Sequence, residues 1–205
     1  TPIPRTLYMA LSGAKDMSVI STPPKNRIPV VTHIVEFDED LIQEALLREL
    51  RRGGQVFFLH NRVEDIDKIA QIVKRLVPEA RVAAAHGQMP GRLLEEIMLQ
   101  FLEGEINILV CTTIIESGID MPTVNTLVVE RADLLGLGQL HQIRGRVGRS
   151  GQRAYAYLFF PPDRQLSEEA YERLKTIGET TELGSGFRIA MRDLEIRGAG
   201  NLLGT

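Results

Sequence analysis

The chain has 205 residues, 43% of them hydrophobic, with 24 basic and 27 acidic side chains and a formal net charge of -3. That is enough to bury one core of roughly 150 residues with an appendage, and too little for two full domains. The near-neutral balance gives no whole-molecule signal for nucleic acid, so any grip on phosphate has to come from a local cluster. The single cysteine, Cys111, excludes an internal disulfide framework and fits a reducing cytoplasm.

After an opening with Pro23, Pro24 and Pro29, the β-branched run Val30–Val35 predicts a strand. Asp38, Glu39 and Asp40 then precede Leu41, Ile42, Ala45, Leu46 and Leu50, the spacing of an amphipathic helix that ends at Gly53-Gly54. Acids at this place suit a helix N-terminus better than a metal-binding pair. The alternation continues with a strand over 56–59, a helix marked by Ile66, Ile69, Ala70, Val73 and Leu76, and a strand over 82–85. Pro90 is expected at the first position of the next helix, which carries Leu93, Leu94, Ile97, Met98 and Phe101. Strands over 106–111 and 126–129, a helix from about Leu135 and a strand over 154–160 complete the series. Continuously apolar strands separated by helices imply an α/β fold, an open and mainly parallel sheet with helices on both faces. Beyond Pro161-Pro162 the pattern becomes helical, with Ser167 as a cap, and ends in a Gly-rich run. No apolar stretch approaches the roughly 18 residues of a membrane span, so no membrane association is expected.

Ligands of parallel sheets gather at the carboxyl ends of strands. The segment TTIIESGIDMP, Thr112 to Pro122, follows one such end and could offer hydroxyl and carboxylate contacts, although alone it reads more readily as an ordinary turn followed by a strand. QIRGRVGR, Gln142 to Arg149, is more specific. Arg144, Arg146, Arg149 and Arg153 fall within ten positions that contain no acid. Arg146 and Arg149 are three apart, so on a helix both guanidinium groups leave one face and each can grip a phosphate. Gly145 and Gly148 would each cost such a helix about 1 kcal/mol, which close backbone approach to a ligand would explain.

QIRGRVGR resembles motif VI of superfamily 2 helicases and translocases, TTIIESGIDMP resembles motif V, and QVFFLHNR, Gln55 to Arg62, resembles motif IV. The opening TPIPRT resembles the end of motif III in the subgroup of RecG-type helicases and transcription-repair coupling factors, and DLEIRGAGNLLG, Asp193 to Gly204, resembles their translocation motif. The short spacing from HNRVEDI to HGQM and the run ERADLLGLGQLHQIRGRVGRS are closer to the coupling-factor family.

The resemblance implies a RecA-like second motor lobe of an ATP-dependent double-stranded DNA translocase, a helicase superfamily 2 ATP hydrolase, with a RecG-type branch-migration lobe or a non-catalytic binding lobe as alternatives. It implies three parts: the end of motif III and a linker over 1–24, the helicase C-terminal domain over 25–162, and a helical hairpin and loop, truncated, over 163–205. It makes Arg146 and Arg149 arginine fingers and gives Gln142 a part in sensing the γ-phosphate. Gly118 and Asp120 would lie by the nucleotide sugar, His60, Asn61 and Thr112 or Thr113 would touch the DNA backbone, and Arg5 and Arg197 would couple hydrolysis to movement. His86 matches a motif between IV and V but can equally be structural.

No G-x-x-x-x-G-K-[ST] segment occurs, so ATP with Mg²⁺ would be held mainly by a first motor lobe preceding Thr1, and the isolated fragment is expected to be inactive. RNA polymerase and the excision-repair protein UvrA would be partners through other parts of a parent protein in the bacterial cytoplasm.

Overall fold

The computed structural model describes residues 29–112, 124–148 and 151–179. Six strands form one parallel sheet: β1 (Val31–Glu36), β2 (Gln55–Leu59), β3 (Val82–Ala85), β4 (Ile108–Cys111), β5 (Val124–Val129) and β6 (Tyr155–Phe160). Their order is β1-β6-β5-β2-β4-β3, and every pairing is parallel. Around the sheet lie α1 (Glu39–Arg51), α2 (Ile66–Leu76), α3 (Gly91–Leu102), α4 (Leu137–Arg144) and α5 (Glu168–Glu179), with a short 3-10 turn over Ala132–Leu134.

The period-2 alternation of strands sends successive side chains to opposite faces. Along β2, Val56 and Phe58 point into a core with Ile42, Ala45 and Leu46 of α1 and Ile66, Ala70 and Val73 of α2. Phe57 and Leu59 point the other way, toward Leu94, Met98 and Phe101 of α3, Leu140 and Ile143 of α4, and Leu174 and Ile177 of α5. The fold is therefore three layers, as the doubly buried strands require.

Most expected elements fall within two residues of their observed bounds, and the local chemistry shows why. The Asp38 carboxylate accepts the Asp40 N–H at 2.9 Å, so the acids at 38–40 do start a helix. Ser167 Oγ accepts the Ala170 N–H at 3.1 Å and caps α5 as expected. Two expectations are corrected. Pro90 sits one residue before α3, with ψ 136 carrying it into extended backbone. The helix expected from Leu135 begins at Leu137, because Leu134 and Leu135 first close a 3-10 turn by donating to Arg131 and Ala132 carbonyls at 3.2 Å.

The strand order places β2 in the middle. The strands that follow it first, β3 and β4, lie on one side, and β5 and β6 lie on the other. The carboxyl end of β2 is thus a switch point, where ligands of such sheets bind.

Candidate functional site at the carboxyl edge of the sheet

His60 follows the last residue of β2 and is the hub of this edge. Its N–H donates to the Cys111 carbonyl of β4 at 2.8 Å, while the Glu130 N–H, just past β5, donates to the Leu59 carbonyl at 3.1 Å. The residue is 5% exposed and its imidazole sits between two carboxylates, Nδ1 on Glu130 Oε2 and Nε2 on Asp65 Oδ1, the latter at 2.6 Å. Burial pulls the His60 pKa down, but the hydrogen bonds and charges of Glu130 and Asp65 outweigh it, and the net shift is upward. The Asp65 carboxyl is lowered, chiefly by its hydrogen bond to His60.

Both ring nitrogens of His60 are therefore engaged by carboxylates in this arrangement. Asn61 and Arg62, the next two residues, are half-buried and exposed respectively. Thr112, at the end of β4, is 6% exposed and faces the interior. His86, after β3, accepts the Gln88 N–H on Nδ1 at 3.2 Å, a local turn contact. An apolar groove of about 280 Å³ between α1 and α2, floored by Ile42, Phe58 and Ile69, opens beside Asp65 and Glu130.

On the other flank, Arg131 pairs with Asp133 through Nε and a terminal nitrogen at 3.0 and 2.8 Å. The chain then enters α4, where Gln139 Oε1 accepts the Gly136 N–H at 2.9 Å and fixes the first turn. Leu140 and Ile143 anchor the helix in the core, leaving Gln142 exposed. The helix ends at Arg144, whose guanidinium donates to the Ile177 carbonyl of α5 at 2.7 Å. Arg146 is half-buried two residues later.

The expected continuation of a helix through Arg146 is therefore corrected. Gly145 is the C-cap of α4, and Gly148 has φ +79, a left-handed conformation that glycine takes without penalty. A Cβ on Gly148 would come within 2.9 Å of the Ala154 Cβ, so close approach is required, but to the chain's own β6 lead-in rather than to a ligand. Arg5, Thr113, Gly118, Asp120, Arg149 and Arg197 lie outside the described residues. The role of Glu130 escaped the sequence reading, because its partner is 70 positions away.

A parallel six-stranded sheet with a switch point at β2, an exposed amide on a short helix with a guanidinium just after it on one flank, and a polar loop after β2 on the other, defines a RecA-like helicase C-terminal architecture. The family model described as helicase conserved C-terminal domain matches residues 37–151, and the chain belongs to that family. The transcription-repair-coupling factor of Bacillus subtilis is 61% identical over 204 residues, covering 100% of this chain and 17% of that protein. The coupling factor of Staphylococcus epidermidis (strain ATCC 12228 / FDA PCI 1200) is 59% identical over 204 residues, covering 100% of this chain and 18% of that protein. Among solved structures, RecG bound to a three-way DNA junction matches with a TM-score of 0.67 and 38% identity, over 98% of this chain and 27% of that one. The chain thus spans less than a fifth of the length of the curated relatives it matches.

Proposed function

We propose that this chain is the second motor lobe of an ATP-driven double-stranded DNA translocase of the transcription-repair coupling type. The observation that carries this reading is the 61% identity to a coupling factor over 204 residues, a span that takes in every strand-end segment of the edge. RecG, at 38%, is the more distant relative.

In the intact protein the lobe closes on a first motor lobe around ATP. Bound Mg²⁺, assigned to that first lobe, neutralises charge on the phosphates. This chain supplies Gln142 and Arg146 toward the γ-phosphate, with Arg149 as a second finger and Gly118 and Asp120 beside the nucleotide sugar. A planar guanidinium matches phosphate oxygens with two parallel N–H donors and stabilises the charge that builds in phosphoryl transfer to water. Asn61 and Arg62 offer an amide and a guanidinium to a duplex backbone, with Thr113 from the segment after β4. Those contacts carry no base information, so binding is sequence-tolerant and weakens with salt. Arg5 and Arg197 convert closure into a step. Working in the bacterial cytoplasm, the intact protein pushes stalled RNA polymerase off the template and engages UvrA through other regions.

The test uses full-length protein on three substrates: a triplex on duplex DNA, a stalled polymerase elongation complex and a three-way junction. The coupling-factor reading expects ATP-dependent displacement of the third strand and of the polymerase. Junction unwinding without polymerase release would assign the lobe to a RecG-type enzyme instead.

A further inference from the structure

His60 ties together three elements at the carboxyl edge of the sheet. Its main chain is bonded to β4, its side chain to the end of β5 through Glu130, and to the start of α2 through Asp65, the residue that precedes that helix. Glu130 in turn is bonded through its own N–H to β2. Two segments diverge from this knot. One is the loop with Asn61 and Arg62; the other runs through Arg131, Asp133 and the 3-10 turn into α4 and on to Gln142 and Arg146.

A neutral imidazole has one N–H and one lone pair, so between two carboxylates it would set a lone pair against an oxygen. The imidazolium, with two N–H donors, is the form this geometry fits. Charged and titratable groups near His60 and its two carboxylate partners are Glu130 and Arg131 just past β5, Arg62 and Asp65 from the loop after β2, Lys68 of α2 and Glu39 of α1 in the groove that Asp65 and Glu130 line, and Cys111 of β4, whose carbonyl accepts the His60 N–H. Of these, only Glu130 and Asp65 hydrogen-bond the ring.

We propose that His60 is a positioning residue whose bridge between Asp65 and Glu130 locks the loop of Asn61 and Arg62 to the segment leading to Gln142 and Arg146, so that the DNA-facing and nucleotide-facing flanks of the lobe respond as one body. This rests on the motor-lobe function proposed above. Coupling between two sites needs a physical element that both can bias. Here it is a three-residue bridge across adjacent strand ends. The bridge has a pH window. Because the His60 pKa is raised above 6.5, the bridge is complete below that value and is lost as pH rises through the higher folded value.

The experiment measures ATP hydrolysis by the full-length protein with saturating duplex DNA and without DNA, across pH 6 to 9, for wild type, His60→Gln and Glu130→Gln. Melting temperatures are recorded on the same preparations. A Gln at 60 offers one amide donor group and turns an oxygen toward the other carboxylate. A Gln at 130 keeps the shape and removes the charge. Both variants are expected to lower the DNA-stimulation ratio at neutral pH by about fivefold or more, the lower end of typical coupling energies. Wild type is expected to lose stimulation as pH rises through the His60 titration, and the variants to lack that limb. A ratio equal to wild type in Glu130→Gln overturns the proposal even if melting temperature falls, as does a wild-type limb retained in His60→Gln. Should wild type show no DNA stimulation, the motor-lobe function itself fails and the proposal with it.

Discussion

Glu49 and Gly54 meet where the chain turns from α1 into β2: a Cβ placed on Gly54 would lie 2.1 Å from Glu49 Oε2. The Glu49 carboxylate is completely buried and accepts hydrogen bonds from Arg52 at 2.6 and 2.7 Å and from Thr126 Oγ1 at 2.6 Å. Arg52 in turn reaches the Asn125 carbonyl at 3.3 Å and lies 5.3 Å from the Tyr155 ring centre. Gly54→Ala must displace the carboxylate from both partners. Because breaking a buried ion pair costs about 3–5 kcal/mol, the substitution is expected to lower unfolding free energy by about 3 kcal/mol or more in urea denaturation. Thr126→Val, which removes one of the three hydrogen bonds, is expected to cost about 1–3 kcal/mol. A Gly54→Ala protein as stable as wild type would show that the turn opens freely and that the glycine is not required by packing.

Cys111 is fully buried, and desolvation pushes its thiol up to about 12. The thiolate is the reactive form. Native protein is therefore expected to resist thiol-directed reagents at pH 8 and to be labelled once denatured in urea. Prompt labelling of native protein would place Cys111 on a locally open segment.

His33 stacks on Tyr157 with ring centres 5.0 Å apart and titrates below its ordinary value, first because it is buried and second because Arg48 is near. A lowered histidine pKa keeps its contribution to stability complete above 6.5 and loses it as pH falls from there toward the folded value, where the unfolded chain takes up a proton that the folded chain refuses. Unfolding free energy is expected to decline over that acidic interval, and His33→Phe, which keeps an aromatic ring in the stack, is expected to flatten the decline. An equal acid slope in the variant would assign it to other groups.

Which features could be read from sequence follows the range of the forces behind them. The bounds of α2 and β3 matched their expected residues, because amphipathic spacing and a short apolar run are local signals. The caps at Asp38 and Ser167 were legible for the same reason. The arrest of α4 at Arg144 was not. It depends on Gly148 fitting against Ala154 and Val30, contacts that exist only once β6 pairs with β1. Within the site, the strand-end segments were legible as motifs, but what His60 touches was not, since Glu130 reaches it only when β5 lies beside β2.

Arg173 tests how α5 supports the nucleotide flank. Its guanidinium donates to the Leu135 carbonyl at 3.0 Å and the Asp133 carbonyl at 2.9 Å, fastening α5 to the turn before α4. Arg173→Met keeps much of the aliphatic stem and removes both bonds. Since a hydrogen bond from a charged donor contributes about 1.5–3 kcal/mol, amide hydrogen exchange is expected to accelerate across 132–144 with little change in β2 and β4. Unchanged exchange in that segment would show that the packing of Leu174 and Ile177 suffices.

The most direct measurement of the motor-lobe account is ATP turnover by the full-length protein, with and without duplex DNA, for wild type, Arg146→Ala and Arg146→Lys. An arginine that stabilises the phosphoryl-transfer transition state is worth about 10³-fold or more, so DNA-stimulated turnover is expected to fall by that order in Arg146→Ala while ATP still binds. Lys is not expected to restore it, because a point charge lacks the bidentate fork. Turnover near the wild-type rate in Arg146→Ala, or full rescue by Lys, would contradict the assignment of this edge as the nucleotide-facing side of a motor lobe.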